Sequence, residues 1–268
     1  MGITLELSYG SLRRWILGMI GIELLLVLAY VLESAIDPQI WTIRRLFDLN
    51  SDDANIAQWL SSTQLAIIGL LFALHASQRR SELEPSRWFL VLLSLGFIFL
   101  SADEALYFHE TITKVATQVD WAPSFRGDHG VWVFVYGALG LLLIAACWGQ
   151  LVRAARYLPL AFRSIALGMA IFIGGAVVLE VIGYQFLTKG SVLHVIEVCL
   201  EEFMEMAGGT MMLYGALLYS VDARRCVQRA ENNAVSAGRA ARSKKSVLNV
   251  AGFFSTWHGG KSHLPPGR

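Results

Sequence analysis

Six long apolar runs constrain this chain more than any other feature. They cover residues 15–33, 59–76, 88–108, 131–151, 165–187 and 192–221. A helix needs ~20 mostly apolar residues to cross the hydrocarbon of a bilayer, and each run is near that length or beyond it. In lipid, every backbone N–H and C=O must be satisfied within its own segment, so apolar runs of this kind fold as helices. The expected fold is all-α: a polytopic membrane protein built as a six-transmembrane-helix bundle. Trp and Tyr mark many of the run ends, where interface-seeking rings belong. Composition agrees, with 55% hydrophobic residues, a mean hydropathy of +0.51 and 16% charged residues, where a soluble domain carries ~25% charged. The net charge of +1 says nothing about nucleic acid, and no nucleic-acid partner is expected of a chain with this membrane composition. Cys147, Cys199 and Cys226 stand far apart and read as packing residues, without a disulfide framework or a Cys-x-x-Cys metal pair. The first run is too long for a cleavable signal peptide and lacks a small-residue cleavage site.

Lys and Arg in the short loops set the expected orientation. One set of flanks holds Arg13, Arg14, Arg79, Arg80, Arg87, Arg153, Arg156, Arg163, Arg224, Arg225 and Arg229. The other holds only Arg44, Arg45, Lys114, Arg126 and Lys189. Both termini are therefore expected in the cytoplasm. Residues 1–221 form the six-span membrane domain. Residues 222–268 are polar and basic, and read as a disordered cytoplasmic tail.

Acids interrupt the last run in the stretch "HVIEVCLEEFMEMAGG". On a helix, His194, Glu197, Glu201 and Glu205 share one stripe, continued inward by Gly208, Met212 and Gly215, with Glu202 to one side. Facing lipid, each central acid costs ~2.5 kcal/mol or more, so the stripe is expected to face other helices. The third run ends in "SADEALYFHE". Read as one helix, it puts Asp103 and Glu110 on a shared face, with Glu104 and His109 to either side. The fifth run carries Glu180 near its outer end, beside Gly183 and Tyr184, and the fourth begins after Asp128 and His129. Three helices thus bring Asp103, Glu104, Glu180, Glu201 and Glu202 to similar depth on the outer side. Trp121 and Pro123, between the third and fourth runs, read as a surface turn, with a lid over the site as the alternative.

Carboxylates and imidazoles on facing helices are the ligand set of carboxylate-bridged metal sites, and they suit iron, manganese or zinc. The candidate ligands are Asp103, Glu104, His109, Glu110, Glu180, His194, Glu197, Glu201, Glu202 and Glu205. The usual Glu-x-x-His spacing is absent. The expected function is a membrane protein with an outward-facing cluster that binds a divalent metal, either a metal-binding protein or a membrane metalloenzyme with a small molecule or lipid as substrate. One alternative is a component of a proton- or cation-coupled transporter or channel, since crowded intramembrane acids carry protons. Against it, the inner half offers few polar residues, Glu23 and His75 among them. Another is a non-catalytic subunit or assembly factor, its acids fixing helix register.

The "SADEALYFHE" motif followed by "EEFMEMAGGTMMLYGALLY" resembles a group of uncharacterised multi-pass bacterial membrane proteins. These share S-x-D-E-x4-H-E in one span and E-E-x-x-E-M in the last. The resemblance covers most of the six-span region. It implies a bacterial plasma (inner) membrane, and matches Asp103, Glu104, His109, Glu110, Glu201, Glu202 and Glu205 to the group's pattern without implying an activity. Ser101, Asp103 and His109 also resemble part of the site of seven-span zinc hydrolases such as alkaline ceramidases. Those need further histidines in the last span, where this chain has only His194.

Overall fold

The structure is a computed structural model of the full chain. It describes residues 8–36, 46–49, 55–79, 82–119, 122–127 and 129–258, without the side chains of 35–36, 227–235 and 237–258. Arg44, Arg45, Arg80, Trp121, Asp128 and the side chain of Arg229 lie outside the described residues.

Among those residues the protein is all-helical, with no strand beyond a lone antiparallel bridge between Phe125 and His129. The helices are α1 (Tyr9–Ile36), α2 (Ile56–Gln78), α3 (Arg87–Leu106), α4 (Phe108–Ala116), α5 (Val131–Tyr157), α6 (Pro159–Ile173), a π-helical turn (Gly174–Leu179), α7 (Glu180–Phe186) and α8 (Val192–His258). The chain divides into two compact units, residues 1–221 and 222–268. The site belongs to the first.

Five segments are long and apolar enough to cross a membrane: Tyr9–Ser34, Ile56–Gln78, Arg87–Leu106, Val131–Tyr157 and Pro159–Phe186. Helix α8, which carries Glu197, Glu201, Glu202 and Glu205, is not among them. Helices overrun several of the apolar runs: α1 starts at Tyr9, α5 ends at Tyr157 and α8 continues to His258. Two further boundaries differ from the sequence reading. The third run does not continue helically to 108: α3 stops at Leu106, and Tyr107 takes a left-handed conformation (φ 54°, ψ 45°) that starts α4 in a new direction. The fifth begins earlier, at Pro159, where a missing N–H costs nothing.

The buried core is made where α2, α3 and α8 meet. Leu65, Ile68 and Phe72 of α2, Leu90 and Phe97 of α3, and Met206, Met212, Leu218 and Tyr219 of α8 are buried. Leu24, Leu25 and Leu28 of α1 and Leu141 and Leu142 of α5 are exposed, the inside-out pattern of a bundle surrounded by lipid. Asn55 begins α2 with a reciprocal capping box to Gln58. Ser62 and Ser101 clasp α2 to α3, each hydroxyl donating to the other's carbonyl at 2.8 Å. Helices α6 and α8 approach backbone to backbone. A Cβ placed on Gly168 would lie 2.6 Å from the Met212 nitrogen, and one on Gly208 would lie 2.7 Å from the Phe172 nitrogen. Small residues permit this contact. It fixes the height of α8 against the π-helical turn, where a Cβ on Gly175 would lie 2.8 Å from the carbonyl oxygen of Glu201.

Candidate functional site

A cavity of about 910 Å³ opens at the end of the bundle that carries α4 and the turn into α8. All ten candidate residues line it: Asp103, Glu104, His109, Glu110, Glu180, His194, Glu197, Glu201, Glu202 and Glu205. The elements that converge are α3, α4, α7 and α8, with α5 closing one wall. Apolar residues of α5 and α6, such as Leu141, Ile144 and Ile173, line another part. Each of those three is substantially exposed on the bundle surface.

Asp103 organises one side. The break at Tyr107 turns the chain back, so Asp103 Oδ1 accepts the backbone N–H of His109 at 2.9 Å and the Tyr136 hydroxyl at 2.9 Å. Asp103 Oδ2 accepts from His109 Nδ1 at 3.1 Å. Asp103 and Glu110 therefore do not share one continuous helical face, because the left-handed residue between them resets the helix. Glu110 instead pairs with Lys114 at 3.1 Å on α4. The Tyr107 hydroxyl donates to Gln58 Oε1 of α2 at 2.5 Å, which ties the break to the neighbouring helix. Burial disfavours a charge on His109, but its hydrogen bond to Asp103 and the charges of Asp103, Glu180 and Glu104 outweigh it and raise its pKa above the ordinary histidine value.

The second side rests on α8. His194 Nδ1 donates to Glu197 Oε2 at 3.1 Å, and its backbone N–H donates to the Ser191 hydroxyl at 3.2 Å. His194 Nε2 is buried without a hydrogen-bond partner, as is Glu202 Oε2. A Cβ on Gly183 would meet Glu197 Oε1 at 2.6 Å, so Gly183 lets α7 lie directly against this carboxylate. Deeper in, Glu205 lies within electrostatic reach of Glu104, Glu202, Glu201 and Glu180.

Between the two sides stands Glu180, accepting a short hydrogen bond from the Tyr184 hydroxyl. The Trp132 indole N–H points near it without full hydrogen-bond geometry. The π-helical turn just before Glu180 offsets its direction from that of a regular helix. His129 stacks on Tyr184 with ring centroids 4.6 Å apart. Arg126 and Lys189 are the Lys and Arg residues on the cavity wall.

Sequence reasoning missed Tyr136, Gln58 and Trp132. Each is a single polar-edged residue in a region that reads as apolar or as a helix start, and only contact with Asp103, Tyr107 or Glu180 reveals its part. As they stand, no three His, Cys, Asp or Glu side chains among the described residues are gathered tightly enough to hold a metal ion.

An all-helical chain with five segments fit to cross a membrane and an acid-lined cavity at one end is a membrane-protein architecture. The model of a family described as a domain of unknown function, DUF8692, matches residues 19–221, and the chain belongs to that family. No curated protein and no solved structure matches the chain.

Proposed function

We propose that this is a six-span protein of the bacterial plasma membrane, both termini cytoplasmic, whose outward-facing cavity binds a divalent metal and acts as a membrane metalloenzyme on a small molecule or lipid. The sixth span is α8 from Val192 to about Val221. Its acids are tolerable in a bilayer because they line a cavity among helices. The excess of Arg at the opposite end of the spans supports the orientation.

One observation carries the metal reading. Glu104, Glu180, Glu201, Glu202 and Glu205, from three helices, line one cavity and interact electrostatically. Like charges at ~4 Å repel by several kcal/mol at intermediate dielectric, and a divalent cation relieves that for several carboxylates together. The two carboxylate–histidine pairs, Asp103–His109 and Glu197–His194, add the arrangement by which outer carboxylates orient metal-binding imidazoles. Loading requires the glutamate side chains to draw together, since they are not yet gathered for a metal. Iron, manganese and zinc all suit carboxylate and imidazole donors. The metal would polarise a carbonyl or phosphoryl oxygen, or acidify a bound water.

Elemental analysis of protein purified in mild detergent tests this, with wild type beside Glu201→Gln/Glu205→Gln. Near-stoichiometric iron, manganese or zinc that disappears in the double variant is the expected result. Absence of metal from both, under metal-replete growth, overturns it. The second reading, coupling to protons or cations, gains from a separate polar group deeper in the bundle.

A further inference from the structure

Below the cavity, where α1, α2 and α8 meet, Glu23 is 0% exposed, Gln64 2% and Thr210 1%. About 7.5 Å of helix axis separates Thr210 from Glu205, the deepest acid of the cavity. Glu23 Oε1 accepts from the Thr210 hydroxyl and from Gln64 Nε2, the latter at 3.2 Å. Gln64 Nε2 also lies 2.9 Å from Thr210 Oγ1. Glu23 Oε2 and Gln64 Oε1 are buried with no hydrogen-bond partner. So is the hydroxyl of Ser61, which is itself 1% exposed and lies about one turn before Gln64 on α2. Gly209 makes room for the Gln64 amide, for a Cβ there would lie 2.2 Å from Gln64 Oε1.

A carboxyl group that is wholly buried must be neutralised or paired. The hydrogen-bond partners of Glu23 among the described residues are Thr210 and Gln64, with no Lys, Arg or His. What these neighbours leave over is oxygen without a donor. Hard oxygens from a carboxylate, an amide and hydroxyls are the ligands of a small hard cation. Glu23 Oε2 and Gln64 Oε1 are both orphaned acceptors of the kind a positive charge satisfies.

We infer that Glu23, Gln64 and Thr210 form a second site, for one monovalent cation, distinct from the acid-lined cavity and independent of whether that cavity holds a metal. Two species bring the same chemistry, a single charge held on oxygens: a sodium ion and a proton. The other titratable residues nearest to it along the three helices are Arg14 and Tyr30 on α1, His75 on α2, and Glu205 and Tyr214 on α8.

Thermal unfolding of the full chain in mild detergent separates the two, comparing wild type with Glu23→Gln. Sodium is varied against choline at constant ionic strength, and pH is varied between 6 and 9. If sodium fills the site, the wild-type midpoint climbs with sodium and saturates, Glu23→Gln is flat, and Thr210→Val needs at least tenfold more sodium for the same rise. If a proton fills it, wild type loses stability from pH 6 to pH 9 relative to Glu23→Gln, whatever the sodium concentration. Either result supports the site. Identical sodium and pH responses in wild type and Glu23→Gln overturn it. Should Glu23→Gln not accumulate, unchanged responses in Thr210→Val do the same.

Discussion

His194 gives its Nδ1 to Glu197 at 3.1 Å and keeps Nε2 buried and unpartnered on the cavity wall. The carboxylate fixes the tautomer, leaving Nε2 as a lone-pair donor. If the cavity binds metal, loss of this orienting contact weakens it without removing a carboxylate ligand from Glu201, Glu202 or Glu205. Glu197→Gln is expected to lower metal affinity about 10–100-fold. Titration of metal-stripped protein in detergent measures it, and an unchanged affinity would remove His194 from the ligand set.

The Asp103–His109 pair gives a pH dependence with a defined sign. His109 has a raised pKa in the folded protein, against ~6.5 for an unperturbed histidine. Its contribution to stability is fully present below ~6.5 and disappears as pH rises through the folded value. The stability difference between wild type and His109→Gln should therefore shrink as pH rises from 6 upward. Thermal midpoints across that range check it, and a difference that grows would contradict the assignment.

The seam between α6 and α8 leaves no room for a methyl group. Gly208→Ala places a Cβ 2.7 Å from the Phe172 nitrogen and 2.8 Å from the Gly168 carbonyl oxygen, and is expected to destabilise by about 1–3 kcal/mol. Gly137→Ala meets nothing within 4 Å and should be neutral or gain up to ~1 kcal/mol of helix propensity. Unfolding in detergent compares them. Equal effects would mean that the two helices do not meet at these glycines.

Topology reporters fused after Gly10 and after Gln228 should both read cytoplasmic, from the Arg bias of the loops. A periplasmic reading at either end breaks the six-span arrangement and moves the cavity to the other face of the membrane.

The acids were legible before the fold because charge is conspicuous in an apolar run, and all ten candidates do line one cavity. Their relations were less legible. "SADEALYFHE" reads as one helix, since nothing in Tyr107 announces a left-handed residue in place of the expected glycine or asparagine. The π-helical turn at Gly174–Leu179 is equally silent, because its glycines and valines also suit a regular span.

Hydrophobic periodicity and length determined, from the sequence alone, that this chain is helical, where its apolar segments run and which polar residues lie inside them. Those properties are local: they follow from each segment's need to satisfy its backbone and keep charge from lipid. Only the tertiary structure decided that Tyr136 of α5 serves Asp103, that His109 folds back onto that same aspartate, and that Glu23, Gln64 and Thr210 meet. Those contacts join residues far apart in the chain or across a helix break. Their geometry is set by which helices touch and at what height, and the glycine seam of α6 and α8 fixes part of that.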